Sequence, residues 1–188
     1  MILGGTMNVD EDRLHPWLSA EKKYLERAIA AGGHILGICL GGQLLARVLG
    51  GTVTRNAHKE IGWHTVRLHP DAAHDPFFSV YPTAFPAFQW HQDTFTIPAG
   101  CRRLAESDAC AHQAFSYEGR VLGVQFHLEA DERVVRTLAD ACPRDLDAAG
   151  PYVQSAQTMM AAVGAAAQAE RLSQSLLDQA LSTCAASA

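Results

Sequence analysis

The chain has 188 residues, 48% of them hydrophobic, and a formal net charge of −5. Length and apolar content suit a single domain spanning 1–188 with a sizeable core, while the acidic balance and the lack of a Lys/Arg cluster argue against a nucleic-acid partner. No run of about 18 apolar residues could span a membrane, no secretory leader pattern opens the chain, and Cys39, Cys101, Cys110, Cys142 and Cys184 form no C-x-x-C pair, so a cytoplasmic protein with reduced thiols, and without metal or other cofactor, is expected.

In chain order, Met1-Ile2-Leu3 precede a Gly4-Gly5 pair and are short for a strand, whose usual mean is about five to six residues. Ser19 to Ala31 reads as a helix, with Tyr24, Leu25, Ala28 and Ile29 at helical spacing and Gly32-Gly33 as its stop. His34 to Ile38 reads as a short buried strand. It leads into Gly37-Ile38-Cys39-Leu40-Gly41-Gly42-Gln43, and Gln43 to Leu49 is a helix stopped by Gly50-Gly51. Glycines two residues either side of Cys39 allow the sharp strand-to-helix turn of a nucleophile elbow. A thiol at such a turn meets the unpaired N–H groups of a helix start, which favour the thiolate. The competing reading is a buried, inert cysteine in a Gly-rich turn.

Ile61 to Leu68 suits an antiparallel strand, and further strand-like runs follow at 85–90, 101–106, 113–117 and 120–126. Glu118-Gly119 would join the last two as a hairpin. Just beyond, His127 and Glu129 share a side of extended backbone through their i, i+2 spacing. An imidazole beside a carboxylate is a base with its orienter, and Cys39 supplies the nucleophile. His15, His34, His58, His69 and His74 are scattered without metal-ligand spacing. The tail, 151–188, carries two helical stripes: Tyr152, Ala156, Met159, Met160 and Val163, then Leu172, Leu176, Leu177, Ala180 and Leu181. Packing onto the domain's own sheet is the expected role, with partner binding or self-association as the alternative.

Gly-Ile-Cys-Leu-Gly-x-Gln followed by Gln-Phe-His-x-Glu resembles a class I, triad-type glutamine amidotransferase domain, most similar to the stand-alone proteins that resemble the glutaminase domain of GMP synthase. Gly4-Gly5-Thr6-Met7-Asn8-Val9, Glu60-Ile61-Gly62-Trp63, Gln89 to Phe95, His112-Gln113-Ala114-Phe115 and Ala149 to Val153 extend the resemblance over nearly the whole chain. It implies an α/β, flavodoxin-like fold: a mostly parallel sheet flanked by helices, with an added antiparallel hairpin region. Against that pattern the chain reads as lacking the first strand–helix–strand unit, which would leave an edge strand exposed.

The resemblance implies amide hydrolysis. Cys39 would attack the side-chain amide carbon of glutamine, His127 would move the proton, and Glu129 would fix the imidazole tautomer. Backbone N–H groups of Gly5 and Leu40 would receive the oxyanion. Gln43 would hold the amino-acid end of the substrate, and Trp90, His91, Gln92 and Asp93 would form the loop around the rest of it. Two positions depart from the family: Leu128 stands where Pro is usual between His and Glu, and Gln92 where Gly is frequent. The ammonia acceptor is not encoded, since no phosphate-binding Gly-rich loop follows. Three readings stay open: a glutaminase serving a separate synthetase, a hydrolase of γ-glutamyl amines or peptides, and an inactive interaction domain.

Overall fold

β1 (Ile35–Ile38) is apolar throughout because both of its faces are covered. Ile35 joins a core with Leu18 and Leu25 of α1 (Trp17–Ala30) and Leu44 and Leu45 of α2 (Leu40–Val48). Leu36 and Ile38 face a second core on the opposite side of the sheet. The same period-two division runs through β5 (Ala114–Tyr117) and β6 (Val121–Val124). Phe115 and Val121 join the first core, Ala114, Leu122 and Val124 the second. Val135 of α3 (Glu132–Ala141), Met159 of α5 (Ala156–Ala161) and Leu176 of α6 (Val163–Ala185) close that second core. The computed structural model describes residues 1–147 and 150–185, so Ala149 of the sequence resemblance lies outside the described residues.

The remaining strands are β2 (Val53–Leu68), β3 (Ala84–Phe95) and β4 (Arg102–Glu106), and the sheet order is β1-β6-β5-β4-β2-β3. The architecture is α/β, as expected, but the sheet is mixed rather than mostly parallel. Among the named strands β1 and β6 pair in parallel, and the β2–β3, β2–β4, β4–β5 and β5–β6 pairs are antiparallel. An apolar run reports burial on both faces, not the direction of its neighbour. The β5–β6 hairpin turns where expected, with positive φ at both Glu118 (50°) and Gly119 (65°), as a type I′ turn demands.

Three boundaries differ from the sequence reading. α1 starts at Trp17, and Tyr24 is 64% exposed, because it sits more than a quarter-turn from Leu25 around the helix. β2 begins at Val53, eight residues before the apolar run, through the polar stretch Arg55 to Lys59. β3 runs on to Phe95, so Trp90 to Asp93 lie in a strand and not in a loop.

Ile2 makes one parallel bridge to Gly37, receiving the Ile38 amide and donating to the Leu36 carbonyl. The tail packs onto its own domain: α6 lies against β3, α5 against β2, and the Tyr81 hydroxyl donates to the Leu172 carbonyl. Leu181 of the second stripe is 68% exposed, and the side chain of Val163 lies outside the described residues. Among the described residues no helix is long and apolar enough to cross a membrane.

Candidate active site

Cys39 sits between β1 and α2 with φ 53° and ψ −110°, a left-handed conformation rare for a residue with a side chain. Such strain is held only where the surroundings over-determine it. The surroundings here are backbone on both sides. The Cys39 amide donates to the Val124 carbonyl, and its own carbonyl accepts from the Gln43 amide. A Cβ on Gly41 would lie 2.4 Å from the Ile2 carbonyl oxygen, and one on Gly37 would lie 2.5 Å from the Gly41 carbonyl. Both glycines are therefore required by close backbone approach, and the elbow follows from them.

β6 delivers the second half of the site. Past its end, His127 bridges to Phe88 of β3 through reciprocal backbone hydrogen bonds, which fixes where the imidazole starts. Its Nδ1 lies 2.5 Å from Glu129 Oε1, and the Cys39 side chain lies close enough to act on the ring's charge. Burial pulls the imidazolium down, but Cys39 beside the ring, the hydrogen bond to Glu129 and their charges outweigh it and carry His127 up to about 10. Burial likewise opposes the Glu129 charge, and the bond to His127 overcomes it, holding that carboxyl below its usual range. At neutral pH the ring therefore carries a proton. Leu128, in the place of the usual Pro, is buried in the second core and leaves this geometry intact.

A cleft of about 590 Å³ opens over these three residues and is lined also by Gly4, Gly5, Gln43 and the stretch Trp90 to Asp93. A Cβ on Gly4 would lie 3.2 Å from His127 Cε1 and 3.9 Å from Cys39 Sγ, so the Gly-Gly segment closes over Cys39. The Gly5 amide makes no backbone hydrogen bond among the described residues, and Leu40 is the first residue of α2, where N–H groups lack helical partners. The Leu40 side chain turns away into the first core.

The residues expected to bind substrate are held in different ways. Gln43 Nε2 is engaged within the protein, 3.1 Å from Gln125 Oε1 and 3.4 Å from the Asp93 carbonyl. Both ring nitrogens of His91 are occupied, Nε2 by Glu60 at 3.0 Å and Nδ1 by the Asp93 carbonyl at 2.9 Å. Trp90 donates to Asp145 of α4 (Pro143–Asp147) at 3.1 Å, and Lys59 pairs with the same carboxylate at 2.9 Å. Asp93 accepts from Asn8 at 2.7 Å, and Gln92 lines the cleft.

Two polar residues of this neighbourhood escaped the sequence reading. Gln125, fully buried, points Nε2 at Cys39 Sγ across 3.6 Å, and its orientation is set by Gln43, which donates to its carbonyl. It opens the Gln-Phe-His-x-Glu motif, but an uncharged amide gave no chemical signal. Arg55 lines the cleft directly across the β2–β3 ladder from Asp93, where the register shifts between Arg55 and Glu60. Set within a polar run, it had no motif to mark it.

A profile of the glutamine amidotransferase class-I family matches residues 1–137. The chain belongs to that family. Among its relatives, the glutamine amidotransferase-like protein YfeJ of Salmonella typhimurium is 31% identical over 144 residues, covering 76% of this chain and 60% of YfeJ. One of the subunits of the glutamine-hydrolysing GMP synthase of Methanocaldococcus jannaschii is 36% identical over 116 residues, covering 61% of this chain and 60% of that one. The chain thus spans about three-fifths of the length of these curated relatives. Among solved structures, a glutamine amidotransferase from Thermotoga maritima superposes with a TM-score of 0.84 at 32% identity, covering 94% of this chain and 75% of that one. Another from Methylobacillus flagellatus gives 0.87 at 31% identity, covering 95% and 74%.

Proposed function

We propose that this class I amidotransferase hydrolyses the side-chain amide of glutamine through a thioester on Cys39. The observation that carries the reading is the Glu129–His127 hydrogen bond at 2.5 Å, with a cysteine on a strained elbow beside the same ring, both bordering Gly4. The Cys39 sulfur adds to the amide carbon, and the oxyanion is received by the N–H groups of Gly5 and Leu40. The C–N bond then breaks as His127 gives its proton to the leaving nitrogen. Water next attacks the thioester, the C–S bond breaks, and glutamate is released. The Arg55 guanidinium forms no hydrogen bond or ion pair among the described residues, and it is the cation for the α-carboxylate; Asp93, across the ladder, receives the α-ammonium. Similarity to proteins that are separate subunits of GMP synthase supports a second chain, a synthetase, that consumes the ammonia.

A glutamine-like electrophile tests the assignment. It should label Cys39 and spare Cys101, which burial pushes up to about 11, and Cys110, which burial also raises. Cys39→Ala should release no ammonia from glutamine. Labelling of the other cysteines with Cys39 untouched would refute the reading.

A further inference from the structure

The cleft is larger than glutamine needs, and its two ends differ in chemistry. Its 590 Å³ falls within the roughly 300–1,000 Å³ of sites that take drug-sized ligands. Gln43, Arg55 and Asp93 make one end polar. Beyond His127 the lining changes character. Val134, Leu138 and Cys142 recur at i, i+4 and i+8 along α3 and its C-cap, so they form one row facing the cleft. Val134 is 38% exposed, an apolar side chain spent on this surface and not on the core, while its neighbour Val135 is buried in the core at 1% exposed.

Trp90 lines the same cleft, and beneath it the fully buried Phe88 lies 6.1 Å from Trp90 and 6.4 Å from the His127 ring, centroid to centroid. The Trp90–Asp145–Lys59 network ties the aromatic floor to α4 just past the row. The proton on His127 must reach the leaving nitrogen, so that nitrogen faces His127. Any substituent on it then runs onto Trp90 and the α3 row.

We infer that the preferred substrate is a γ-glutamyl amide whose amine carries an apolar group, an arylalkyl or branched alkyl chain, seated between Trp90 and the Val134–Leu138–Cys142 row. This rests on the thioester reading of Cys39. The reaction balances with water alone: sulfur bonds the γ-carbonyl carbon, the C–N bond breaks, His127 protonates the nitrogen, and the free amine departs. Water then cleaves the thioester to glutamate and returns the proton to the Cys39–His127 pair. Glutamine is the smallest member of this class, leaving the apolar end unfilled.

The test is a series of glutamine, γ-L-glutamyl methylamide, isopentylamide and phenethylamide, assayed by glutamate release and by calorimetric binding to Cys39→Ala. The expected result is a rise in kcat/KM of at least tenfold from methylamide to phenethylamide, with tighter binding of phenethylamide to Cys39→Ala. In Val134→Asp the phenethylamide-to-methylamide ratio should fall towards one. A flat or falling series, as a wall built for a partner protein would give, overturns the inference, and turnover of glutamine in that case leaves the thioester reading standing. If no amide is turned over, the binding series alone decides the apolar subsite, and the thioester reading is what fails.

Discussion

Replacing Glu129 with Gln keeps the shape and one hydrogen bond but removes the charge that faces His127 Nδ1 at 2.5 Å. The rise of His127 from 6.5 to about 10 corresponds to roughly 5 kcal/mol of preference for the charged ring. Cys39 and Glu129 divide that preference against the opposing pull of burial. The Glu129 side chain is 38% exposed, so solvent screens its share to about 1–2 kcal/mol. That is about one pH unit on His127. A deprotonated ring cannot protonate a leaving amine, so activity should persist towards pH 10 and fall as His127 titrates. In Glu129→Gln the alkaline limb of kcat/KM should therefore move down by about one pH unit, and kcat at neutral pH should fall about tenfold as the imidazole loses its orienter. The stability linkage has the same sign. A folded-state value above the unfolded one contributes stability that is complete below about pH 6.5 and lost as pH rises through about 10. Ammonia release from glutamine over pH 6–11, with urea melts at each pH, measures both. An alkaline limb that stays put, or moves up, would refute the reasoning.

Gln125→Leu should lower kcat far more than it changes KM, because the amide touches the nucleophile and not the cleft. It also leaves Gln43 short of an acceptor, so urea melts should show a loss of about 1–3 kcal/mol. Gly41→Ala places a methyl 2.4 Å from the Ile2 carbonyl and must push backbone aside. Its thermal melt should show a loss of about 1–3 kcal/mol, as overpacking in a rigid site does, together with loss of electrophile labelling at Cys39. Phe126, with no exposed surface, should cost about 3–5 kcal/mol as Phe126→Ala, read from urea midpoints at constant slope.

The parts of this fold visible in the sequence were those with a local physical cause. The elbow was legible because Gly37 and Gly41 flank a single reactive residue, and the hairpin because Glu118-Gly119 is a two-residue turn between alternating runs. What stayed hidden depends on partners far along the chain. Val53 to Lys59 is too polar to read as strand, and only Val53 to Arg55 of it pair with β3, ahead of the register shift before Glu60. The family resemblance puts Trp90 to Asp93 in a loop, yet they continue β3 and line the cleft. Gln125 acquires meaning only when Cys39, 86 residues away, is brought to it. The α3 row carried ordinary amphipathic spacing, and nothing local distinguishes a stripe that meets substrate from one that meets the sheet.

A binding wall made of strand constrains how this protein's selectivity can change over generations. Loops absorb insertions and deletions freely, but β3 carries Trp90 and Asp93 on the same ladder that places Phe95 in the first core and His91 against Glu60. One residue inserted after Phe88 would turn every later side chain to the opposite face. Phe95 would leave its core, and the buried Glu60 would lose its partner. Heritable variation in this wall is therefore confined to substitutions in place, whereas Val134 on the outer side of α3, with Val135 anchoring the inner side, is free to be rewritten without disturbing the sheet.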